Sequence, residues 1–180
     1  MNSENRKGDW MQTYRGKKFW PLDPRPEEVE IEDIAHALAM MCRFNGHCNN
    51  FYSVAQHSVL VSNLVRPSDA LAGLLHDGSE AYFADIIRPI KRSLGGIKEI
   101  EEKIAQAIFK RFRIDYNKEE ISRADNIALF TEMRDLMGEP PETWREFELY
   151  QSLLLEDRIV ALSPIEAERL FLERYARLNP

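Results

Sequence analysis

The apolar residues from position 31 onward recur at helical spacing, and this periodicity limits the possible folds more than any other feature. The first run places its apolar residues on one face: Ile31, Ile34, Ala35, Leu38 and Cys42. Side chains three and four positions apart share one side of an α-helix, so such a run predicts an amphipathic helix. After residue 30, no segment alternates between apolar and polar residues over the length of a strand. We therefore predict an all-α fold.

The same spacing predicts further helices along the rest of the chain. They cover residues 53–65, 69–82, 97–112, 121–137, 147–162 and 163–178. The last begins with Ser163, Pro164 and Glu166, which form a capping box with proline at the first helical position. A chain of 180 residues is long enough for one core and too short for two ordinary domains. We expect a single compact helical bundle over residues 31–180.

The first 30 residues differ from the bundle and are predicted to form an N-terminal arm. The segment TYRGKKFW indicates a small hairpin around a glycine turn, and the prolines of PLDPRPEE hold the next stretch extended or turned. The arm carries four aromatic residues, Trp10, Tyr14, Phe19 and Trp20. Stacking on a nucleic acid is one use for them. We favour packing onto the body or onto a partner subunit, because buried aromatics contribute large contact areas.

Composition narrows the range of partners and compartments. The net charge of −6 argues against a nucleic-acid duplex or an anionic membrane as the main partner. Two cysteines, Cys42 and Cys48, are too few for a disulfide framework and indicate reduced thiols. The N-terminal segment MNSENRKGDW lacks the apolar region of a signal peptide, and no stretch reaches the length of a membrane span. We expect a cytoplasmic protein.

The chemistry is concentrated in a few histidines and aspartates within apolar helices. His57 interrupts the apolar face of its helix, and His76 follows an apolar run with Asp77 directly behind it. Asp125 lies among the apolar residues of a later helix. A buried imidazole or carboxylate must be hydrogen-bonded, charge-paired or metal-bound. Each alone could be satisfied locally, but the four together suit one divalent transition metal (Co, Mn, Fe, Ni or Zn, with Mg as a further option).

These residues resemble a known signature. The order His57, His76-Asp77, Asp125 is similar to the H…HD…D pattern of the HD-domain metal-dependent phosphohydrolases. The segments YSVAQHSVLVS, LLHDGSEAYFADIIRPIKR and ADNIALFTEMRDL resemble those of bacterial 5′-deoxynucleotidases and of phage and prophage nucleotide hydrolases in that superfamily. The resemblance covers roughly residues 31–137. An HD pair alone is weak evidence, whereas four ligands in order with matching flanks are specific.

The resemblance implies roles for further residues. Glu80 matches the family's acidic residue that works with the water nucleophile, and Asp85 matches an acidic residue near the ribose or leaving group. Lys91 and Arg43 match cationic residues that contact phosphate. Each could instead be a solvated surface charge. Phosphate hydrolysis needs both cations and a proton acceptor, which favours the functional interpretation.

The sequence departs from the deoxynucleotidase pattern directly after Arg43. Phe44 stands where those enzymes usually carry tryptophan, so a base could still stack there in a pocket of different shape. His47 has no clear counterpart, and it either touches phosphate or caps a loop. Dinuclear members recruit further histidines, and only His36 and His47 remain, both upstream of His57. We therefore expect a mononuclear site.

The function expected from the resemblance is removal of phosphate from 2′-deoxynucleoside 5′-monophosphates, in a homo-oligomer that binds a small deoxynucleotide. One alternative is a triphosphohydrolase acting on deoxynucleoside triphosphates such as dATP, for which Lys17, Lys18, Arg88 and Arg92 are candidate extra cations. Another is a catalytically silent nucleotide-binding HD module. A third is a helical interaction protein in which the histidines are incidental.

Overall fold

The structure is a computed structural model that describes residues 5–179, so the outermost predicted boundaries at residues 1 and 180 lie outside the described residues. The two strands and the α-helices of these residues are β1 (Met11–Gln12), β2 (Lys18–Phe19), α1 (Ile31–Met40), α2 (Val54–Leu64), α3 (Ala70–Leu75), α4 (Arg88–Lys91), α5 (Ile97–Phe112), α6 (Lys118–Leu136), α7 (Phe147–Tyr150) and α8 (Pro164–Leu178). The all-α class is confirmed, because the only sheet among the described residues is the β1–β2 hairpin. None of the helices in this range is long and apolar enough to cross a bilayer.

The main core lies where α1, α3, α5 and α8 meet. Its fully buried side chains include Ile34 and Leu38 of α1, Leu74 of α3, Ile108 of α5 and Phe171 of α8. A second apolar cluster joins the ends of α2 and α3 to the first half of α6. Burial of a large aliphatic or aromatic side chain stabilises the fold by about 1.5–3 kcal/mol. The two clusters therefore fix the helices that carry the predicted ligands.

The N-terminal arm packs onto the body through its aromatic rings. β1 and β2 pair antiparallel, with Met11 opposite Phe19, which confirms the predicted hairpin. Phe19 is fully buried and stacks on Tyr82 at 3.8 Å between ring centroids. Tyr14 stacks on His36 at 3.7 Å. The expected packing onto the body is confirmed for Phe19, whereas Tyr14 contacts His36 but stays 60% exposed, and Trp10 stays 45% exposed.

A close approach between α2 and α3 brings two predicted ligands to neighbouring helices. A Cβ atom at Gly73 would lie 3.1 Å from a Val65 methyl group and 3.2 Å from the Cα of Ser62. Both contacts are shorter than ordinary van der Waals distances, so only glycine lets the two backbones come this near. His57 of α2 and His76 at the end of α3 consequently lie with their ring centroids 5.2 Å apart.

Two predicted helices end earlier than their apolar patterns suggest. The helix expected over 69–82 stops at Leu75, and a separate 3-10 helix follows at Gly78–Tyr82. The backbone of Asp77 leaves helical geometry between them. The first helix stops at Met40 and does not include Cys42, which forms an isolated bridge with Ser53. There the backbone groups of 41–43 bond to 52–54 instead of continuing the helix.

The helix predicted over 147–162 is wrong. Only Phe147–Tyr150 and a 3-10 turn at Gln151–Leu153 are helical, and the chain then runs without helix to Ser163. Side chains of other helices use its backbone groups. Asp135 accepts a hydrogen bond from the Ile159 N–H at 2.9 Å, and the Gln56 amide pairs with Val160 O at 2.8 Å. These side chains bond to backbone N–H and C=O groups that would otherwise need helical hydrogen bonds, so the segment can stay non-helical.

Candidate metal centre and substrate cavity

Three helical elements bring the predicted metal ligands together. One atom each from His57, His76 and Asp125 lies within 4.8 Å of the other two, a group that could hold a metal ion. Asp125 Oδ1 lies 3.2 Å from His57 Nε2. Asp77 Oδ2 lies 3.5 Å from the same nitrogen and 3.2 Å from His76 Nε2. The fourth predicted ligand, Asp77, therefore lies beside both imidazoles of the three-residue group.

The two imidazoles are oriented by acceptors on their other nitrogens. His57 Nδ1 lies 2.7 Å from Glu132 Oε1, and His76 Nδ1 lies 2.8 Å from the Gly73 carbonyl. Both partners can only accept, so in the neutral ring the hydrogen is on Nδ1 and the Nε2 lone pair points into the cluster. Both Nε2 atoms are buried, and neither has a hydrogen-bond partner among residues 5–179. Such a pair of buried lone pairs beside carboxylates fits a divalent metal.

Sequence reasoning missed Glu132, the residue that holds His57. Its side chain is fully buried in α6 and also accepts from Arg43 Nε at 3.1 Å and from the Tyr52 hydroxyl at 3.0 Å. A signal was present. Glu132 follows Asp125 by seven positions, two helical turns, on a helix whose neighbouring residues are apolar.

The charges of the cluster shift its pKa values strongly. Burial and the Arg43 charge lower the pKa of His57, but the Glu132 carboxylate, and the Asp125 carboxylate 3.2 Å from Nε2, raise it to about 9. Burial raises the pKa of Asp125, yet its close interaction with His57 brings it down to about 2. Burial also opposes ionisation of Asp77, and the charges of His76, His57 and Arg43 hold its pKa well below the usual range. Both aspartates are therefore anionic at neutral pH.

A cavity of about 650 Å³ opens beside the cluster. Its lining includes the predicted site residues Arg43, Phe44, His47, Asp77, Glu80, Asp85, Lys91 and Asp125. The size is within the range of small-molecule sites. His57 and His76 lie behind this wall, in contact with Asp77 and Asp125. The structure therefore brings every predicted site residue to one place.

Two acidic residues of the cavity hold protons more tightly than usual. Glu80 is buried, and its Oε2 has no hydrogen-bond partner in the described part of the chain. Burial, followed by the charges of Asp77 and Asp85, raises the pKa of Glu80 well above its ordinary value. Burial also raises the pKa of Asp85, against the opposing charge of Arg43. Buried carboxyl groups with raised pKa values in a cleft are typical of proton-transfer groups.

Three cations that line the cavity each lie beside a carboxylate. Buried Arg43 lies between Glu132 and Asp77, whose Oδ2 is 3.7 Å from its guanidinium. Lys91 lines the cavity but also pairs with Glu101 at 2.6 Å. Arg88 lines it too, with its guanidinium 2.9 Å from Asp125.

Of the four cations suggested for a triphosphate, two line the cavity and two lie on the arm. Arg88 and Arg92 line the cavity, whereas the two lysines of the arm do not. Lys17 pairs with Glu30, and Lys18 lies over the Trp10 ring. The arm therefore does not supply cations to this cavity.

Phe44 has a strained backbone at the edge of the cavity. Its φ is 55°, and that of Asn45 is 56°, inside a short 3-10 turn from Arg43 to Gly46. A bulky residue in the left-handed region costs roughly 1–3 kcal/mol and persists where the surroundings hold it. The carbonyl of Phe44 accepts from the backbone N–H of His47 at 3.0 Å, and the exposed His47 lines the same cavity.

Comparison with known proteins gives a family for the chain. The chain is 37% identical over 171 residues to the uncharacterized protein YfdR of Escherichia coli (strain K12), which covers 94% of this chain and 96% of that protein. The chain belongs to the YfdR family. Another relative of this YfdR family member is the uncharacterized protein RCAP_rcc00048 of Rhodobacter capsulatus, 35% identical over 144 residues, 72% of this chain and 74% of that protein. No family model matches the chain. Neither relative's name states an activity.

Proposed function

We propose that the protein is a metal-dependent phosphohydrolase of the HD-domain superfamily that removes phosphate from 2′-deoxynucleoside 5′-monophosphates. The observation that carries the proposal is the meeting of His57, His76 and Asp125, with Asp77 beside them, at the wall of a cavity that also holds cations. The donor set of two imidazoles and two carboxylates suits one divalent transition metal, from Mn, Fe, Co, Ni and Zn, with Mg as a further option. When bound, such an ion polarises a phosphoryl group and lowers the pKa of water.

The residues around the cluster suit the handling of a phosphate ester. Arg43 and Lys91 offer fixed positive charge for phosphate oxygens, and Arg88 adds a third guanidinium or ammonium group on the same wall. Hydrolysis joins a water oxygen to phosphorus and breaks the bond from phosphorus to O5′. We assign the proton of the attacking water to Glu80, whose Oε2 is available in the described chain. We assign protonation of the leaving O5′ to Asp85, which lines the same cavity and whose pKa is raised by burial.

One observation favours a triphosphate as the second candidate substrate. Besides Arg43 and Lys91, the cavity is lined by three further cations, Arg88, Arg92 and Arg145. A single phosphate does not need so many. The carboxylates of the same cavity offset part of that charge, which keeps the monophosphate as the first choice. A nucleotide-binding HD module without catalysis would not require a buried, unpaired Glu80 oxygen.

The test is a substrate screen with defined metals. The protein is stripped with a chelator, reloaded separately with Mn²⁺, Co²⁺, Fe²⁺, Ni²⁺, Zn²⁺ or Mg²⁺, and incubated with dAMP, dATP, AMP and p-nitrophenyl phosphate. Chromatography should find deoxyadenosine and phosphate from dAMP, with AMP slower. Nucleoside and triphosphate from dATP with dAMP untouched would establish the triphosphohydrolase instead. Metal and nucleotide binding without any product would establish the binding module.

Two further proposals concern the state of the protein in the cell. We propose a cytoplasmic location, since both cysteines are free in the structure and reduced thiols belong to that compartment. We also propose a homo-oligomer, which light scattering on the purified protein would test. Neither proposal affects the assignment of the metal ligands.

A further inference from the structure

The loop between α6 and α7 carries a tryptophan that lines the cavity beside Phe44. Trp144 and Phe44 both line the cavity that Asp77 and Asp125 line. Their ring centroids are 6.4 Å apart, and the ring planes meet at 66°. Two rings in this arrangement form a corner. A flat ligand that stacks on one ring then meets the edge of the other.

Core packing does not explain either ring. Both side chains are only partly buried. Trp144 borders the main cavity on one side and, on the other, a second depression of about 700 Å³ lined with Pro140 and Pro141. A tryptophan that serves a core is normally enclosed by other side chains.

The backbone of Phe44 gives a second, independent observation. Its φ of 55° is one that bulky residues rarely adopt. This conformation does not bury the ring, which stays partly exposed. Arg43 holds the ring from behind, with its guanidinium carbon 5.3 Å from the ring centroid. The same arginine is fixed by Glu132 beside the metal ligands. Strain maintained in this way is typical of ligand-contacting residues.

We infer that Trp144 and Phe44 form the contact surface for the nucleobase of the substrate, and that Trp144 determines preference for nucleotides over phosphates that lack a base. The inference rests on the proposed function for the identity of the ligand. The metal ligands and cations of the cavity can hold a phosphate, and the aromatic corner lines the same cavity. A nucleobase is flat and stacks on any aromatic face, whereas a sugar phosphate has no surface to place there. A single base stack is worth about 10-fold to 100-fold in affinity.

Binding can be followed at Trp144 itself. The sequence has three tryptophans, and the other two, Trp10 and Trp20, belong to the arm. In a Trp10→Phe/Trp20→Phe background, all tryptophan fluorescence comes from Trp144. The Zn²⁺-loaded protein is titrated with the non-hydrolysable 5′-methylenephosphonate analogue of dAMP and, separately, with 2-deoxyribose 5-phosphate. We expect saturable quenching by the analogue and no quenching by the sugar phosphate.

A second experiment measures binding affinity by calorimetry in the wild-type background. Trp144→Leu should weaken binding of the nucleotide analogue about 10-fold to 100-fold and leave deoxyribose 5-phosphate unchanged. Trp144→Phe should retain most of the affinity, because it keeps an aromatic face. Trp10→Leu is the matched control, since Trp10 is 45% exposed and does not line the cavity. Circular dichroism shows whether Trp144→Leu folds. If it does not fold, the Trp144→Phe variant and the fluorescence titration test the inference instead.

The outcomes separate this inference from the proposed function. Hydrolysis of dAMP with equal affinities of wild type and Trp144→Leu for the analogue, or an unquenched Trp144, would overturn the aromatic corner and leave the enzyme. Trp144-dependent binding of the analogue without hydrolysis of any nucleotide would support the corner and reject the phosphohydrolase. Equal losses for the analogue and the sugar phosphate would mean that Trp144 supports the whole cavity, which also overturns the inference.

Discussion

Glu132 is the residue through which the orientation of the site can be tested, because one buried carboxylate serves three partners. It accepts from His57 at 2.7 Å, Tyr52 at 3.0 Å and Arg43 at 3.1 Å. Glu132→Ala leaves Arg43 buried with Asp77, at 3.7 Å, as its remaining ion-pair partner among the described residues. Removing one member of a buried ion pair costs about 3–5 kcal/mol. That is a large part of the roughly 5–15 kcal/mol that stabilises an ordinary domain.

Glutamine at position 132 tests the effect of the negative charge separately from that of the side-chain shape. Glu132→Gln keeps the volume but removes the charge, and its single amide oxygen cannot accept all three hydrogen bonds, a loss of about 2 kcal/mol in the free energy of unfolding. Urea denaturation in chelator measures this without metal. Glu119→Gln is the control, since Glu119 lies exposed on the same helix and should change stability little.

Metal affinity gives the sharper readout of Glu132→Gln. Loss of a partner that orients a ligating imidazole typically weakens metal binding 10-fold to 100-fold. In the wild type, a metal must also displace the proton that His57 holds with a pKa of about 9, which costs about 3 kcal/mol at pH 7. Since the Glu132 charge is one of the groups that raise this pKa, glutamine lowers the cost and masks part of the loss at pH 7.

The affinity loss of Glu132→Gln should therefore be larger at pH 9.5 than at pH 7. Competition with a chromophoric chelator measures both values on the same protein. If Glu132→Gln binds metal as tightly as the wild type at pH 9.5 and unfolds at the same urea concentration, the assigned role of Glu132 is wrong.

Three further variants test the ligands, the proton transfer and the scaffold. Asp125→Ala should lose most of its bound metal while His36→Ala, altered outside the cluster, keeps it; elemental analysis showing a full metal load in Asp125→Ala would remove that residue from the ligand set. Glu80→Gln should keep fold and metal but lose ~10² to 10⁴ in turnover, and near-normal turnover would reduce Glu80 to a spectator. Asp135 has a pKa of about 2 in the fold, because its hydrogen bonds with Arg134, Ile159 N–H and Arg158 outweigh its burial. A lowered pKa adds stability above the unfolded value near 4 that is lost as pH falls towards 2, so Asp135→Asn should cost up to about 2 kcal/mol at pH 7 and almost nothing at pH 2 by urea denaturation.

The elements that could be predicted are those whose local signals agree with their burial. The helix over 97–112 occupies the predicted residues because its apolar stripe faces the core through Ile104 and Ile108. The last helix begins at Pro164, with the predicted capping box between Ser163 and Glu166. The ligands were predictable for a related reason. An imidazole or carboxylate on an otherwise apolar face needs a hydrogen bond, an opposite charge or a metal ion. The resemblance to the HD-domain enzymes indicated a metal ion.

The elements that could not be predicted depend on contacts distant in sequence. Whether residues 154–162 form a helix is decided by Asp135 and Gln56, which bind backbone groups of that segment from other helices. No local window contains those residues. The same holds for Trp144, which lies beside Phe44 although the two residues are one hundred positions apart in the sequence. Local periodicity carries no information about such pairs.

Backbone strain is not spread evenly over this fold, and its distribution supports the location of the site. Apart from glycines, the residues with positive φ in the described chain are Phe44, Asn45, Ala84, Arg113 and Glu146. Arg113 ends a long helix, where the left-handed conformation is common. Phe44 and Glu146 line the cavity, Asn45 follows Phe44, and Ala84 precedes cavity-lining Asp85. Costly backbone conformations cluster at ligand-contacting sites in proteins. The strained positions and the converging ligands therefore identify the same cavity through unrelated physical properties.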